Sequence, residues 1–334
     1  MKAVNNILSD IKKGDIKPIY FLFGEEPYFI DQVSNYIEEN LLDDAEKEFN
    51  QVVLYGRDVT VDDIVSNAKR YPMMAERQVV IVKEAQDLSR SIEQLTPYVE
   101  NPQSTTVLVL CYKYKKLDGR KGLSKAVKKN GVLLEAKKMY DNQVGPWIND
   151  TLRNAGYRIS PKGVQMLGDF LGTDLGKITN ELNKLMLVIS KETEITPELI
   201  EENIGISKDY NNFELLKAIG VKDMVKAQRI ARYFVQNPKS NPLVLTISSM
   251  HTFFTRLLMY HGLPRKDKAT VAKTLGVNPY FTDEYMTAAR YYPMKSVSAA
   301  IAYIREVDVK SKGVDSSSFA KDDLLKEALV KIMN

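Results

Sequence analysis

The sequence contains very few of the residues from which covalent or metal-based sites are made. It has one cysteine, Cys111, and two histidines, His251 and His261, among 334 residues. One cysteine excludes an internal disulfide and fits a reducing compartment, where it packs as a small apolar residue. Without a Cys/His cluster, neither a zinc site nor a Ser-His-Asp arrangement has the residues it needs. We therefore expect no metal site and no catalytic residue.

Long hydrophobic stretches are missing too. No run of about 18 apolar residues occurs, and the first residues do not form a basic-then-apolar leader. With 44% hydrophobic residues, 27% charged residues and a net charge of +4, the composition is that of an ordinary globular protein. A charge this small permits a local basic patch for nucleic acid but does not require one. We expect a cytoplasmic protein that has no contact with a membrane.

The length and the residue pattern predict more than one domain. At about 100 to 200 residues per domain, the chain should form two or three. Short β-rich segments alternate with predicted helices in the first third, at 18–23, 51–55, 78–84, 105–111 and 131–136. Apolar strands separated by helices are typical of a mostly parallel sheet covered on both faces. The pattern then changes, and 138–334 is predicted to be all helical, with a further boundary near 208–212.

The segment YFLFGEEPYFIDQ at 20–32 has the strand, turn and helix of a phosphate-binding loop but not its chemistry. A loop of the form GxxxxGK[ST] needs a second glycine, a lysine and a hydroxyl residue. Counted from Gly24, these positions hold Phe29, Ile30 and Asp31. The simpler alternative is a glycine that merely ends a strand.

The end of the strand at 79–82 favours a nucleotide-site architecture without nucleotide chemistry. An ATPase of the P-loop type has an Asp there that holds the metal, followed by a Glu that polarises water. This chain has Lys83 and Glu84 instead. Because a lysine opposes Mg²⁺ and Phe29 and Ile30 offer no charge to a phosphate, we predict that the chain neither binds nor hydrolyses ATP and uses no cofactor.

Two other segments each allow two interpretations. In YPMMAERQ at 71–78, either at least one of Met73 and Met74 fills the core, or the pair forms an exposed, flexible apolar anchor for a partner. The run KYKKLDGRKGLSKAVKK at 113–129 holds eight Lys or Arg and one Asp. It is either a solvated surface or a binding site for nucleic-acid phosphates. The residues that would bind phosphates are Lys113, Lys115, Lys116, Arg120 and Lys121.

Four segments, in this order and spacing, resemble the delta-subunit family of bacterial DNA polymerase III clamp loaders. They are IYFLFGEEPYFIDQ, PMMAERQVVIVKEA, ITNELNKL at 178–185 and FELLKAIGVKDMVKA at 213–227. The resemblance extends over nearly the whole chain. It implies an AAA+ architecture with a RecA-like α/β domain at 1–140, a small helical lid domain at 141–209 and a helical collar domain at 210–334 for oligomerisation.

The resemblance also implies a function. Such a subunit assembles with ATPase and delta-prime subunits into a hetero-pentamer that loads the sliding clamp, the beta subunit, onto primed DNA in replication. It binds and opens the clamp without ATP hydrolysis of its own, as an accessory subunit of a DNA-directed DNA polymerase holoenzyme. The family's clamp-binding element is a large apolar pair, typically Leu-Phe, which here corresponds to Met73 and Met74. The Met-Met pair keeps the volume and the apolar character but removes the aromatic ring.

Two other functions remain as alternatives. The chain would be an active AAA+ ATPase if its atypical phosphate loop bound Mg-ATP. It would be a helical nucleic-acid-binding protein if the isolated chain bound DNA through 113–129 with a steep dependence on salt.

Overall fold

The β-rich segments of the first third form one five-stranded sheet in which every strand pair is parallel. The strands are β1 (Ile19–Gly24), β2 (Gln51–Tyr55), β3 (Gln78–Lys83), β4 (Thr106–Lys113) and β5 (Val132–Ala136). Their order is β2-β3-β4-β1-β5, so β1 lies inside the sheet between β4 and β5. The central strands are buried along nearly their whole length because both of their faces are covered.

The structure is a computed structural model that describes residues 2–313 and 321–334. The chain divides into two compact units, Met1–Met139 and Tyr140–Asn334. The helices of the first unit are α1 (Lys2–Lys12), α2 (Pro27–Asn40), α3 (Asp44–Asn50), α4 (Val61–Ala68), α5 (Thr96–Glu100) and α6 (Gly122–Asn130). Short 3-10 turns cover Ala85–Leu88 and Ile92–Leu95. The predicted parallel α/β layer is therefore confirmed.

The second unit is mainly helical. Its helices are α7 (Asp141–Asn154), α8 (Pro161–Leu171), α9 (Leu175–Val188), α10 (Pro197–Ile204), α11 (Asn212–Gly220), α12 (Met224–Gln236), α13 (Leu243–His261), α14 (Lys268–Leu275), α15 (Thr282–Tyr291), α16 (Met294–Ser311) and α17 (Lys321–Met333). Buried residues from Leu215 to Met333 form one apolar cluster. Gly276, with φ 63°, ends α14 in the left-handed region, and Asn278 caps the turn that begins at Pro279.

The prediction that 138–334 is all helical is wrong at one place. Two short strands, β6 (Arg158–Ile159) and β7 (Glu194–Ile195), pair in parallel. Strands of two residues are too short for an alternation of apolar and polar residues, so the sequence pattern cannot reveal them. Each leads directly into a helix that begins with proline, at Pro161 and Pro197. Residues 314–320 of the predicted helical half lie outside the described residues.

The domain boundaries 1–140, 141–209 and 210–334 stay predictions. In the described ranges, no helix is long and apolar enough to cross a membrane.

Candidate functional site

The candidate residues lie at opposite edges of the sheet. Because the strands are parallel, the carboxyl ends of β1, β3 and β4 share one edge, which carries Gly24, Lys83 and Lys113. Ligands of open α/β sheets bind outside this carboxyl edge. The opposite, amino edge carries Gln78 at the start of β3, directly after the segment that contains Met73 and Met74.

The packing of the backbone around Gly24 explains why this residue is glycine, without a bound phosphate. Its φ is 135°, and a Cβ placed on it would lie 2.2 Å from the backbone oxygen of Ala136 on β5. Its own carbonyl accepts a hydrogen bond of 2.7 Å from the backbone N–H of Tyr114. The close approach of the neighbouring chain therefore requires glycine here.

The next two positions of the phosphate-loop pattern belong to the core. Phe29 is 6% exposed and Ile30 is fully buried, both on the inner face of α2. The apolar stripe of this helix, with Val33 and Ile37, packs the helix onto the sheet in the ordinary way. Neither side chain is available to a ligand, so the glycine and lysine of a phosphate loop are replaced by packing residues.

Ion pairs occupy the carboxyl edge. The Nζ of Lys113 lies 2.9 Å from Oδ1 of Asp31 and 3.2 Å from Oε1 of Glu84. The Nζ of Lys83 lies 2.9 Å from Oε2 of Glu38. Burial lowers the pKa of both lysines, but the hydrogen bonds and charges of these carboxylates more than offset it, so each pKa is raised. The ammonium groups stay charged and neutralise the carboxylates that a metal ion would need.

Among the described residues, no group of three or more His, Cys, Asp or Glu side chains could hold a metal ion. The ion pairs of Lys113 and Lys83 were not predicted from the sequence. The sequence did contain one indication that these lysines lie near each other. Both end strands of the same parallel sheet and therefore reach the same edge.

Met73 and Met74 are exposed at the amino edge. The side chain of Met73 is 56% exposed and that of Met74 is fully exposed. The alternative in which one of them fills the core is therefore wrong. Met74 has a φ of 53°, in the left-handed region that few non-glycine residues adopt. We call residues 70–77, between α4 and β3, the methionine loop.

Two buried amides hold the methionine loop. The Nε2 of Gln78 donates to the carbonyl of Arg70, where the loop begins, and to Oγ1 of Thr106 at 2.8 Å. The Nδ2 of Asn50 donates to the carbonyl of Met73 at 2.9 Å, and the N–H of Met73 donates to Oδ1 of Asn50 at 2.6 Å. Asn50 was not predicted as a site residue, because 23 residues separate it from Met73 along the chain.

The chain matches known proteins over nearly its full length. The sequence profile of the family described as DNA polymerase III, delta subunit, matches residues 20–137. A curated relative, the DNA polymerase III subunit delta of Bacillus subtilis strain 168, is 26% identical over 321 residues, which cover 92% of each chain. The chain is therefore similar to DNA polymerase III delta subunits, through the family profile at 20–137 and through this relative over most of its length. The matched residues 20–137 include both edges of the sheet.

A solved structure agrees with the fold. The Bacillus subtilis DNA clamp loader delta protein covers 99% of this chain and 99% of its own, with a TM-score of 0.57 and 24% sequence identity. This likeness shows the fold alone, a parallel α/β unit and a mainly helical unit that follows it in the chain.

The basic run at 113–129 begins at the carboxyl end of β4 and continues along α6. Lys113 is engaged in its ion pairs and only 15% exposed. The Nζ of Lys115 donates to Oγ of Ser89 at 2.7 Å. Lys116 and Arg120 extend into solvent, with 75% and 91% of their side chains exposed, and Lys121 is exposed at the start of α6. The five candidates therefore differ in how freely they can reach a phosphate.

Proposed function

We propose that this chain binds the sliding clamp through Met73 and Met74 and helps to open it, without hydrolysing ATP. The observation that carries the proposal is the exposed methionine pair on a loop held by two buried amides. Two adjacent, exposed methionine side chains are suited to serve as an apolar anchor that a partner buries. The similarity to DNA polymerase III delta subunits supports the sliding clamp as that partner.

The binding energy of the pair is large enough to matter. A methionine side chain that becomes fully buried contributes on the order of 1.5 to 3 kcal/mol. Two such side chains at the centre of an interface correspond to a change of roughly 10² to 10⁴ in affinity, although such contributions do not add strictly. Methionine has several rotatable bonds and a polarizable sulfur, so it adapts to a pocket that otherwise takes an aromatic ring.

The carboxyl edge supports a role without catalysis. Lys83 replaces the metal-binding Asp, Lys113 pairs with Asp31 and Glu84, and Phe29 and Ile30 are buried. A cation of the protein itself therefore lies between the carboxylates near which Mg²⁺ and a phosphate would bind. Energy for clamp opening then comes from docking, and the ATPase subunits of the assembly control when the methionine loop reaches the clamp.

The similarity to delta subunits also suggests the remaining partners. We infer from it that the chain is part of a DNA polymerase III clamp loader with gamma-type and delta-prime-type subunits. We propose that it takes one place in a cytoplasmic hetero-pentamer, that residues 210–334 form its collar contacts, and that the exposed cations Lys116, Arg120 and Lys121 approach the phosphates of primed DNA. We choose these three because their side chains are exposed, although Arg120 also donates to both carboxylate oxygens of Asp118, at 3.1 and 3.0 Å.

A double substitution of Met73 and Met74 by alanine tests the proposal. We expect clamp affinity to fall by roughly 10² or more, while the melting temperature stays within about 2 °C, because both side chains are exposed. A matched control is the double substitution of Met259 and Met294 by alanine, two methionines that are 43% and 50% exposed in the second unit. It should leave clamp affinity unchanged. Clamp binding that survives the loss of Met73 and Met74 would overturn the proposal.

A further inference from the structure

Asn50 is polar yet buried, and its amide contacts the methionine loop. Only 3% of the residue is exposed. Its Nδ2 donates to the carbonyl of Met73 at 2.9 Å, and its Oδ1 accepts from the N–H of Met73 at 2.6 Å. One side chain therefore satisfies both backbone polar groups of a single loop residue, as a neighbouring strand would.

Asn50 is itself part of the rigid framework. It is the last residue of α3, a helix whose first turn is fixed by a reciprocal capping box between Asp43 and Glu46. Its Nδ2 also donates to the carbonyl of Glu46 at 3.1 Å, which orients the amide. The next residue begins β2, which pairs along its length with β3. The amide that contacts the loop is thus positioned by a capped helix and a paired strand.

The residue that follows Met73 is the one whose backbone is strained. Met74 has a φ of 53° and presents its whole side chain to solvent. A left-handed conformation is unfavourable for a non-glycine residue and persists only where neighbouring contacts enforce it. Two contacts hold the loop around Met74. Asn50 accepts from the N–H of Met73, the residue before Met74, and Gln78, which follows the loop, donates to the carbonyl of Arg70 at its start.

We propose that Asn50 is a positioning residue for clamp binding. It holds the methionine loop in the conformation that presents Met73 and Met74, before the clamp arrives. This inference rests on the proposed function, because the partner is the clamp. Without the two hydrogen bonds of Asn50, the loop populates other conformations, and apparent affinity falls by the fraction of molecules that remain competent.

The first test compares an Asn50→Ala variant with an Asn130→Ala variant. Asn130 is a close match, since it is the last residue of α6 and its amide donates to two carbonyls at the C-terminal end of α5, those of Val99 and Glu100, at 2.8 and 3.0 Å. We expect Asn50→Ala to weaken clamp binding about 5- to 30-fold, as the loss of buried hydrogen bonds would. Asn130→Ala should bind as the wild type does, even if both variants melt at similarly reduced temperatures.

A second measurement reports the loop directly. In Asn50→Ala, hydrogen exchange should become faster in peptides that cover 71–77 and stay slow in β3. An Asn50→Ser variant keeps a hydroxyl group at this position but is too short to make both hydrogen bonds to Met73, so its affinity should lie between those of the wild type and Asn50→Ala. If Asn50→Ala fails to fold, Asn50→Ser carries both measurements.

Failure of the positioning role can be distinguished from failure of the proposed function. If the alanine variant of Met73 and Met74 binds the clamp normally, the proposed function fails. If that variant loses binding while the Asn50 variants bind as the wild type does, only the positioning role fails. The role also fails if hydrogen exchange in 71–77 is the same in Asn50→Ala as in the wild type.

Discussion

A single glycine explains why the segment at 20–32 looks like a phosphate-binding loop. The backbone of β5 approaches so closely at Gly24 that its carbonyl oxygen would lie 2.2 Å from a Cβ, and the φ of 135° is unfavourable for any L side chain. The glycine is therefore explained by packing of β1 against β5 alone. The positions that would have supplied phosphate chemistry are occupied by core residues and by the ion-paired Asp31.

A Gly24→Ala variant should be strongly destabilised. We expect a loss of about 2 to 4 kcal/mol in the free energy of unfolding, from the backbone strain and the overlap with β5 together. Gly119→Ala is the control, because a Cβ at Gly119 meets no atom within 4 Å and its φ is not in the left-handed region. Chemical denaturation of both variants is the measurement. Equal stabilities would contradict the packing explanation.

At the residue level, the sequence shows which residue types occupy the phosphate and metal positions, but it does not predict how exposed a side chain is or which residues it contacts. Phe29, Ile30 and Lys83 at the phosphate and metal positions predict a site without nucleotide chemistry, and this stays a prediction. The exposure of Met73 and Met74 was not predictable, because two adjacent apolar residues after a proline fit a core and a surface equally well. The partners of Lys113 were also not predictable, since Asp31 and Glu84 are distant in sequence and a lysine-rich run is usually solvated.

At the level of secondary-structure elements, the five strands of the first unit were predicted to within about two residues. They are runs of β-branched and aromatic residues bounded by turn residues, a pattern that few other structures share. The pair β6 and β7 was missed because its strands form only where two distant segments meet ahead of proline-initiated helices. Tertiary contact, and not local pattern, creates them.

Helices α8, α11 and α12 meet at one buried carboxylate. Glu214 on α11 is 5% exposed, and its two oxygens accept from Lys162 of α8, at 2.7 Å, and from Lys226 of α12. Burial raises the pKa of Glu214, but the two ammonium groups more than offset this and hold it below its usual range. The ionised carboxylate therefore connects three helices of the second unit.

A Glu214→Gln variant should be less stable than the wild type by about 1 to 3 kcal/mol at pH 7. This is below the roughly 3 to 5 kcal/mol of a fully buried pair, because both lysines can reach solvent. Since the folded pKa lies below the unfolded one, the contribution is complete above about pH 4.5 and is lost as pH falls through the folded pKa. Urea titrations of both proteins between pH 7 and pH 3 measure it.

The control for Glu214 is an exposed ion pair on a single helix. Glu327 pairs with Lys331 at 2.8 Å on α17, and both side chains are more than a third exposed. Glu327→Gln should change stability by no more than about 0.5 kcal/mol at either pH. A difference between wild type and Glu214→Gln that grew on acidification would contradict the assigned direction of the pKa.

For the molecule as a whole, the ion pairs at the carboxyl edge predict that Mg-ATP does not stabilise the folded chain. A ligand at 100 times its Kd stabilises the folded state by about 2.7 kcal/mol, which shifts a melting temperature by several degrees. We expect millimolar Mg-ATP to leave the melting temperature of the purified chain unchanged and the chain to release no phosphate from ATP. A reproducible upward shift with micromolar midpoint would instead support the active ATPase.

The exposed cations predict a salt-dependent role within the assembly. Replacing Lys116, Arg120 and Lys121 by glutamine should weaken binding of the assembled loader to primed DNA. The slope of log affinity against log salt should become shallower by about one for each DNA phosphate that the chain no longer neutralises. A control that removes the same charge replaces the exposed residues Lys191, Lys239 and Arg265. If both triple variants lose affinity equally, the effect is one of overall charge, and residues 116–121 have no special role at the DNA.

The burial of Cys111 determines how these experiments can be followed. The residue lies in β4, is 1% exposed, and burial raises the pKa of its thiol to about 11, so almost no thiolate is present at pH 7. Cys111 is also the sole cysteine of the chain. A maleimide dye should therefore attach only to a cysteine introduced at a surface position, such as Val225→Cys on α12, where the side chain is 71% exposed. Fluorescence anisotropy of that one dye would then compare clamp binding by the wild-type methionine loop and by its variants on a common labelled background.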